Sequence, residues 1–82
     1  MYIYSIVMDK SKIKIIKQSI AKILNVSETS INDNSKAEDF SKWDSLAHIR
    51  IIIELEKIFK KKIKTSKIPE LNSVKSIIEH LR

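Results

Sequence analysis

The chain has 82 residues, 43% of them apolar, and a net charge of +6, with no Cys and no Gly. That length supports one small domain with one core, over residues 1–82, and leaves too little chain for a deep two-layer enzyme cleft. The missing Cys removes disulfides, thiolate metal sites and Cys nucleophiles, and the missing Gly removes every Gly-rich phosphate loop.

Residues 1–8 read as a short N-terminal extension. Met1 to Met8 is apolar but lacks a basic leader and runs straight into Asp9 and Lys10, so it does not resemble a signal peptide. No apolar run approaches the roughly 20 residues of a membrane span. A cytoplasmic protein without a membrane span is expected.

A first helix is expected over 9–24, capped by Asp9 or Ser11. Ile13, Ile16, Ile20, Ile23 and Leu24 recur at spacings of three and four, which marks one buried face. Lys10, Lys12, Lys14, Lys17 and Lys22 fill the other side. From 25 to 44 the periodicity stops, and Ser, Thr, Asn and Asp dominate. In this stretch Glu28, Asp33, Glu38, Asp39 and Asp44 outweigh Lys36 and Lys42. A loop this long is uncommon in a compact domain unless it serves a purpose. Val26, Ile31 and Phe40 are its natural anchors to the core.

A second helix is expected over 45–60, and it carries two apolar stripes. At about 100° per residue, Leu46, Ile49 and Ile53 fall on one side, and Ile51, Ile52, Leu55, Ile58 and Phe59 fall roughly opposite. An ordinary surface helix has one stripe. Either the helix is central and packed on both sides, or the narrower stripe is left for a partner or cargo. From its last turn onward come Lys57, Lys60, Lys61, Lys62, Lys64 and Lys67, then Pro69 and a helical turn near 66–70. A last helix over 73–81, capped by Asn72 or Ser73, turns Val74, Ile77, Ile78 and Leu81 inward.

The chemistry points to Asp44-Ser45-Leu46, where the acidic loop meets the second helix. Free amides and the macrodipole at a helix start favour a negative group, so a phosphodiester on the Ser45 hydroxyl would be stabilised there. Asp44 beside it could hold a divalent metal that an incoming enzyme uses. The plainer reading makes Ser45 an N-cap. A Ser45–His48 nucleophile pair lacks an orienting acid and an oxyanion hole. Trp43 reads as a packing anchor and His48 as a partner-facing or loop-packing residue. No metal site is expected, since His48 and His80 lie far apart with no partners at ligand spacing.

Trp43-Asp44-Ser45-Leu46-Ala47-His48-Ile49, then Ile53-Glu54-Leu55-Glu56-Lys57-Ile58-Phe59 and Ile63, closely resembles the acyl carrier protein family around its phosphopantetheine attachment serine. Leu24-Asn25-Val26 and Asn72-Ser73-Val74 resemble the family's end of helix one and start of its last helix, so the likeness covers roughly 12 to 81. The resemblance implies an all-α, three-to-four-helix acyl-carrier-like bundle with a long loop between the first two helices. It implies that Ser45 receives phosphopantetheine from coenzyme A through a separate phosphopantetheinyl transferase, with Asp44 assisting the metal. It also implies acyl or aminoacyl thioesters on the arm, and no catalysis by the domain itself. Leu46, Ala47, His48, Ile49, Arg50, Ile53, Glu54 and Lys57 would meet the partners, which are acyl-activating, acyl-transferring or condensing enzymes. A monomer is expected.

Two departures stand out. The family's Gly before Asp-Ser-Leu is replaced by Ser41-Lys42-Trp43, and the second helix, acidic in typical carriers, holds Arg50 and Lys57 here. Charge complementarity governs partner choice, which points to dedicated enzymes of a specialised pathway. The lysines motivate one alternative, a small basic helical domain that binds nucleic acid.

Overall fold

The computed structural model describes the backbone of residues 2–81 and the side chains of residues 10–81. The first helix, α1, spans Tyr2–Leu24. The segment 1–8, set apart above as an extension, is therefore helical from residue 2 and continuous with 9–24. The chain has no Gly and no Pro before residue 69. The early sequence thus lacks both strong helix breakers, although Tyr2, Ile3, Tyr4, Ile6 and Val7 are only moderate helix formers. Ser11 sits exposed within the helix, and the Asp9 side chain lies outside those described.

The loop that follows contains two short 3-10 turns, Glu28–Ser30 and Ala37–Asp39. The second helix, α2, spans Ser45–Phe59, a 3-10 segment covers Thr65–Glu70, and α3 spans Val74–Leu81. No strand forms among the described residues. The result is an all-α bundle in which α1 packs against both α2 and α3. No helix among the described residues is long and apolar enough to cross a membrane.

The core is aliphatic. Ile16, Ile20 and Leu24 of α1 meet Ile51, Ile52 and Leu55 of α2 and Val74, Ile77 and Leu81 of α3 in one cluster. Each fully buried Ile or Leu contributes roughly 1.5–3 kcal/mol relative to exposure. Ile31, Trp43, Ile63 and Leu71 close that cluster from the connecting segments. The structure thus separates the two stripes of α2. Ile51, Ile52 and Leu55 are buried, whereas Leu46, Ile49 and Ile53 are 66%, 47% and 48% exposed. Ile58, on the inward stripe, is left exposed in the last turn, where packing runs out.

A chain without Gly must end its helices by other means. Asn25 and Lys60 take the left-handed conformation at φ 57° and 52°. After α1, Val26 N–H donates to the Ala21 carbonyl (3.0 Å) and Asn25 N–H to that of Lys22 (3.2 Å), the paired bonds of a Schellman ending. After α2, Lys61 N–H donates to the Glu56 carbonyl (3.2 Å). The Glu56 carboxylate also accepts from Ile63 N–H (2.7 Å), which fixes the turn that follows. Left-handed backbone costs a residue with a Cβ about 1–2 kcal/mol. Lys60→Gly is therefore expected to stabilise the fold by about 1 kcal/mol. A lower urea midpoint would contradict this.

The loop is stitched to the start of α3. Ala37 N–H donates to the Asn72 carbonyl (2.8 Å) and Val74 N–H to the Ser35 carbonyl (3.0 Å), either side of an antiparallel bridge between Lys36 and Ser73. Ser35 is buried, and its hydroxyl accepts from Asn32 N–H (2.9 Å). Ser73 caps α3: its hydroxyl accepts from Ser76 N–H at 3.1 Å. Ser76 returns the bond by accepting from Ser73 N–H at 3.2 Å, so a Ser plays the part usually taken by Glu in a capping box. Lys17 of α1 pairs with Asp33. These ties pin the middle of the loop to α1 and α3, and the turn bonds Phe40 N–H to the Ala37 carbonyl (3.1 Å) and Trp43 N–H to the Phe40 carbonyl (3.0 Å) lead from there to residues 43 and 44.

Candidate functional site

The loop ends on Trp43, which is 6% exposed and lies in the core cluster. Its indole N–H donates to His48 Nδ1 at 3.0 Å. Since Nδ1 accepts, the imidazole proton sits on Nε2, which donates to the Ile68 carbonyl at 2.8 Å. One side chain of α2 thereby ties the loop before it to the 3-10 segment after it. His48 has both ring nitrogens engaged inside the molecule, which leaves neither for Ser45.

Asp44 is the N-cap of α2. Its backbone is extended, and its carboxylate accepts from Ala47 N–H at 2.8 Å. Ser45 is consequently the first residue inside the helix rather than its cap. The two readings of Ser45 are separated here by its neighbour, because the carboxylate does the capping and the hydroxyl does not. The Ser45 side chain is exposed, and its hydroxyl makes no hydrogen bond among the described residues. Asp44→Ala removes the cap and is expected to cost about 1 kcal/mol, read as a lower urea midpoint. An unchanged midpoint would show that the cap does not hold α2.

With Asp44 on the Ala47 amide, the amides of Ser45 and Leu46 have no partner among the described residues. They sit at the positive end of the α2 dipole, where a phosphate gains about 0.3–1 kcal/mol at an exposed site. The geometry offers three things together: a free hydroxyl, two unpaired amides and a carboxylate beside them.

Relative to Leu46, residues 49, 50, 53 and 57 fall within a stripe about 100° wide. Leu46, Ile49, Arg50, Ile53 and Lys57 are all exposed, and the structure brings them together on one face. Ala47 and Glu54 lie at its edge, half-buried, and Ala47 packs on the core cluster. His48, placed with these residues in the sequence reading, falls roughly 160° from the stripe's centre, on the side that meets Trp43 and Ile68.

The family model for the phosphopantetheine attachment site matches residues 14–81. The chain belongs to that family. No individual curated protein matches it. The match starts within α1, spans the loop and α2, and ends with α3. The family's prosthetic group is phosphopantetheine, held covalently, and its carrier domains generally hold cargo for partner enzymes rather than catalyse. The residues present fit such a group, since Ser45 presents an exposed hydroxyl that neither capping nor side-chain bonding consumes.

Two features of this carrier domain come from tertiary packing. One is the Trp43–His48–Ile68 link, which joins Trp43, read as a packing anchor, to His48, read as partner-facing or loop-packing. The other is a shallow groove of about 380 Å³ between α1 and α2, lined by Lys22, Ile23, Arg50, Ile53 and Glu54. Only the contact between helices, absent from either helix pattern alone, reveals it.

Proposed function

We propose that Ser45 is the attachment point, and that the domain presents acyl or aminoacyl cargo to enzymes of a specialised pathway. What carries this reading is the exposed Ser45 hydroxyl at the first position of α2, with Asp44 doing the capping. On transfer, the Ser45 hydroxyl gives up its proton and forms one O–P bond to coenzyme A's pyrophosphate. The pyrophosphate bond breaks, and the adenosine bisphosphate half leaves. The free amides of Ser45 and Leu46 offset the charge of the new phosphodiester. Asp44 keeps one carboxylate oxygen on Ala47 and has a second to offer the transferase's metal. When bound, the arm supplies a terminal thiol that holds cargo as a thioester, so the absence of Cys is no obstacle.

Leu46, Ile49, Arg50, Ile53 and Lys57 form the surface a partner enzyme meets first, with Ala47 and Glu54 at its margin. The cations on this face support a dedicated set of partners, because enzymes that read an acidic helix meet like charge here. Fatty-acid synthesis enzymes are expected to use this carrier less well than an acidic one; equal turnover would remove the specialised-pathway part of the reading. The lysines Lys60, Lys61, Lys62, Lys64 and Lys67 lie on the segment after α2 and are exposed. They form no helical reading face of the kind nucleic-acid modules use.

The direct test is incubation with coenzyme A, magnesium and a broad-specificity phosphopantetheinyl transferase, followed by intact mass. Gain of one arm is expected; an unchanged mass would overturn the reading.

A further inference from the structure

The groove between α1 and α2 extends the exposed face of α2 onto a second helix. Ile53 lies on both the groove and the apolar stripe with Leu46 and Ile49, and Ile23 of α1 continues it. Two cations border the groove, Lys22 and Arg50, and Lys57 follows one turn after Ile53. Among the described residues none of the three is in an ion pair, and Glu54, in the same groove, pairs with neither Lys22 nor Arg50. Lys22, in the last turn of α1, also offsets that helix's negative end. That role needs no groove and leaves Arg50 unexplained.

We propose that this groove seats a partner surface built as an apolar ridge flanked by carboxylates. The inference rests on the carrier reading above and adds to it the partner's chemistry and two contact residues, Lys22 and Ile23. Apolar contact along Ile23, Ile49 and Ile53 supplies adhesion. Lys22, Arg50 and Lys57 select the sign of the partner and speed encounter in a salt-dependent manner.

Two synthetic amphipathic helical peptides test it, with the same Leu ridge and either Glu or Lys flanks, titrated into the ¹⁵N-labelled full chain. The Glu peptide is expected to shift amides from Lys22 to Leu24 and from Arg50 to Glu54. Its affinity should fall roughly tenfold in the K22E/R50E variant, and less at high salt, where wild-type binding is itself weaker. Since both side chains line an open surface groove, the fold should survive the change, and an unaltered thermal melt checks this. Equal binding of both peptides, shifts confined to Lys60–Lys67, or unchanged affinity in K22E/R50E would each overturn the proposal. Wild-type chain that accepts the arm yet does not bind the Glu peptide overturns the docking proposal alone. Chain that binds the peptide but takes no arm overturns the carrier reading alone.

Discussion

Ser45→Ala is expected to abolish loading by the transferase while leaving the unfolding free energy, read by urea denaturation, within about 0.5 kcal/mol of wild type. The two halves of that expectation come from the same geometry. In the proposed reading the Ser45 Oγ is the atom to be esterified, so its removal leaves nothing for phosphorus to join. It caps nothing and makes no hydrogen bond among the described residues, so its removal disturbs no structure. Asp44→Ala is expected to differ, weakening the helix start through the lost cap and slowing loading together. A Ser45→Ala chain that still gains an arm would move the site elsewhere. One that unfolds would show that the hydroxyl has a structural role instead.

Leu55→Ala is expected to cost about 2–5 kcal/mol. Leu55 is fully buried at the centre of the α1–α2–α3 cluster. A chain of 82 residues has a total stability of roughly 4–12 kcal/mol at about 0.05–0.15 kcal/mol per residue. One truncation can therefore remove a large part of it. Leu46→Ala, on the same helix with Leu46 66% exposed, should stay within about 0.5 kcal/mol. Urea denaturation of both variants checks the contrast, with midpoints shifting at constant slope. Comparable losses would mean that the outer stripe of α2 is packed after all.

The contrast between those two leucines was half legible in the sequence. Period counting on α2 separates the two stripes because their members lie roughly on opposite sides of the helix. It could not say which was covered, since that depends on where α1 and α3 lie. The junction at Asp44-Ser45 was legible as a helix start. Which of the two residues caps was not, because Asp and Ser are nearly equal as caps and only backbone placement decides between them. The start of α1 is not legible for a related reason: Asp9 and Ser11 are good caps, but a good cap inside a run without Gly or Pro does not have to be used. The family resemblance groups His48 with the partner surface, while the residue itself also reads as loop-packing. Its position on the helix turns it the other way, and the acceptor that holds it, the Ile68 carbonyl, lies 20 residues on. Long-range bonds of that kind leave no local pattern.

Peptide mapping of the loaded chain by tandem mass spectrometry reads directly where the arm is joined. The arm should appear once, on Ser45. An arm found on Ser41 or another hydroxyl of the loop, with Ser45 unmodified, would contradict the proposed attachment point.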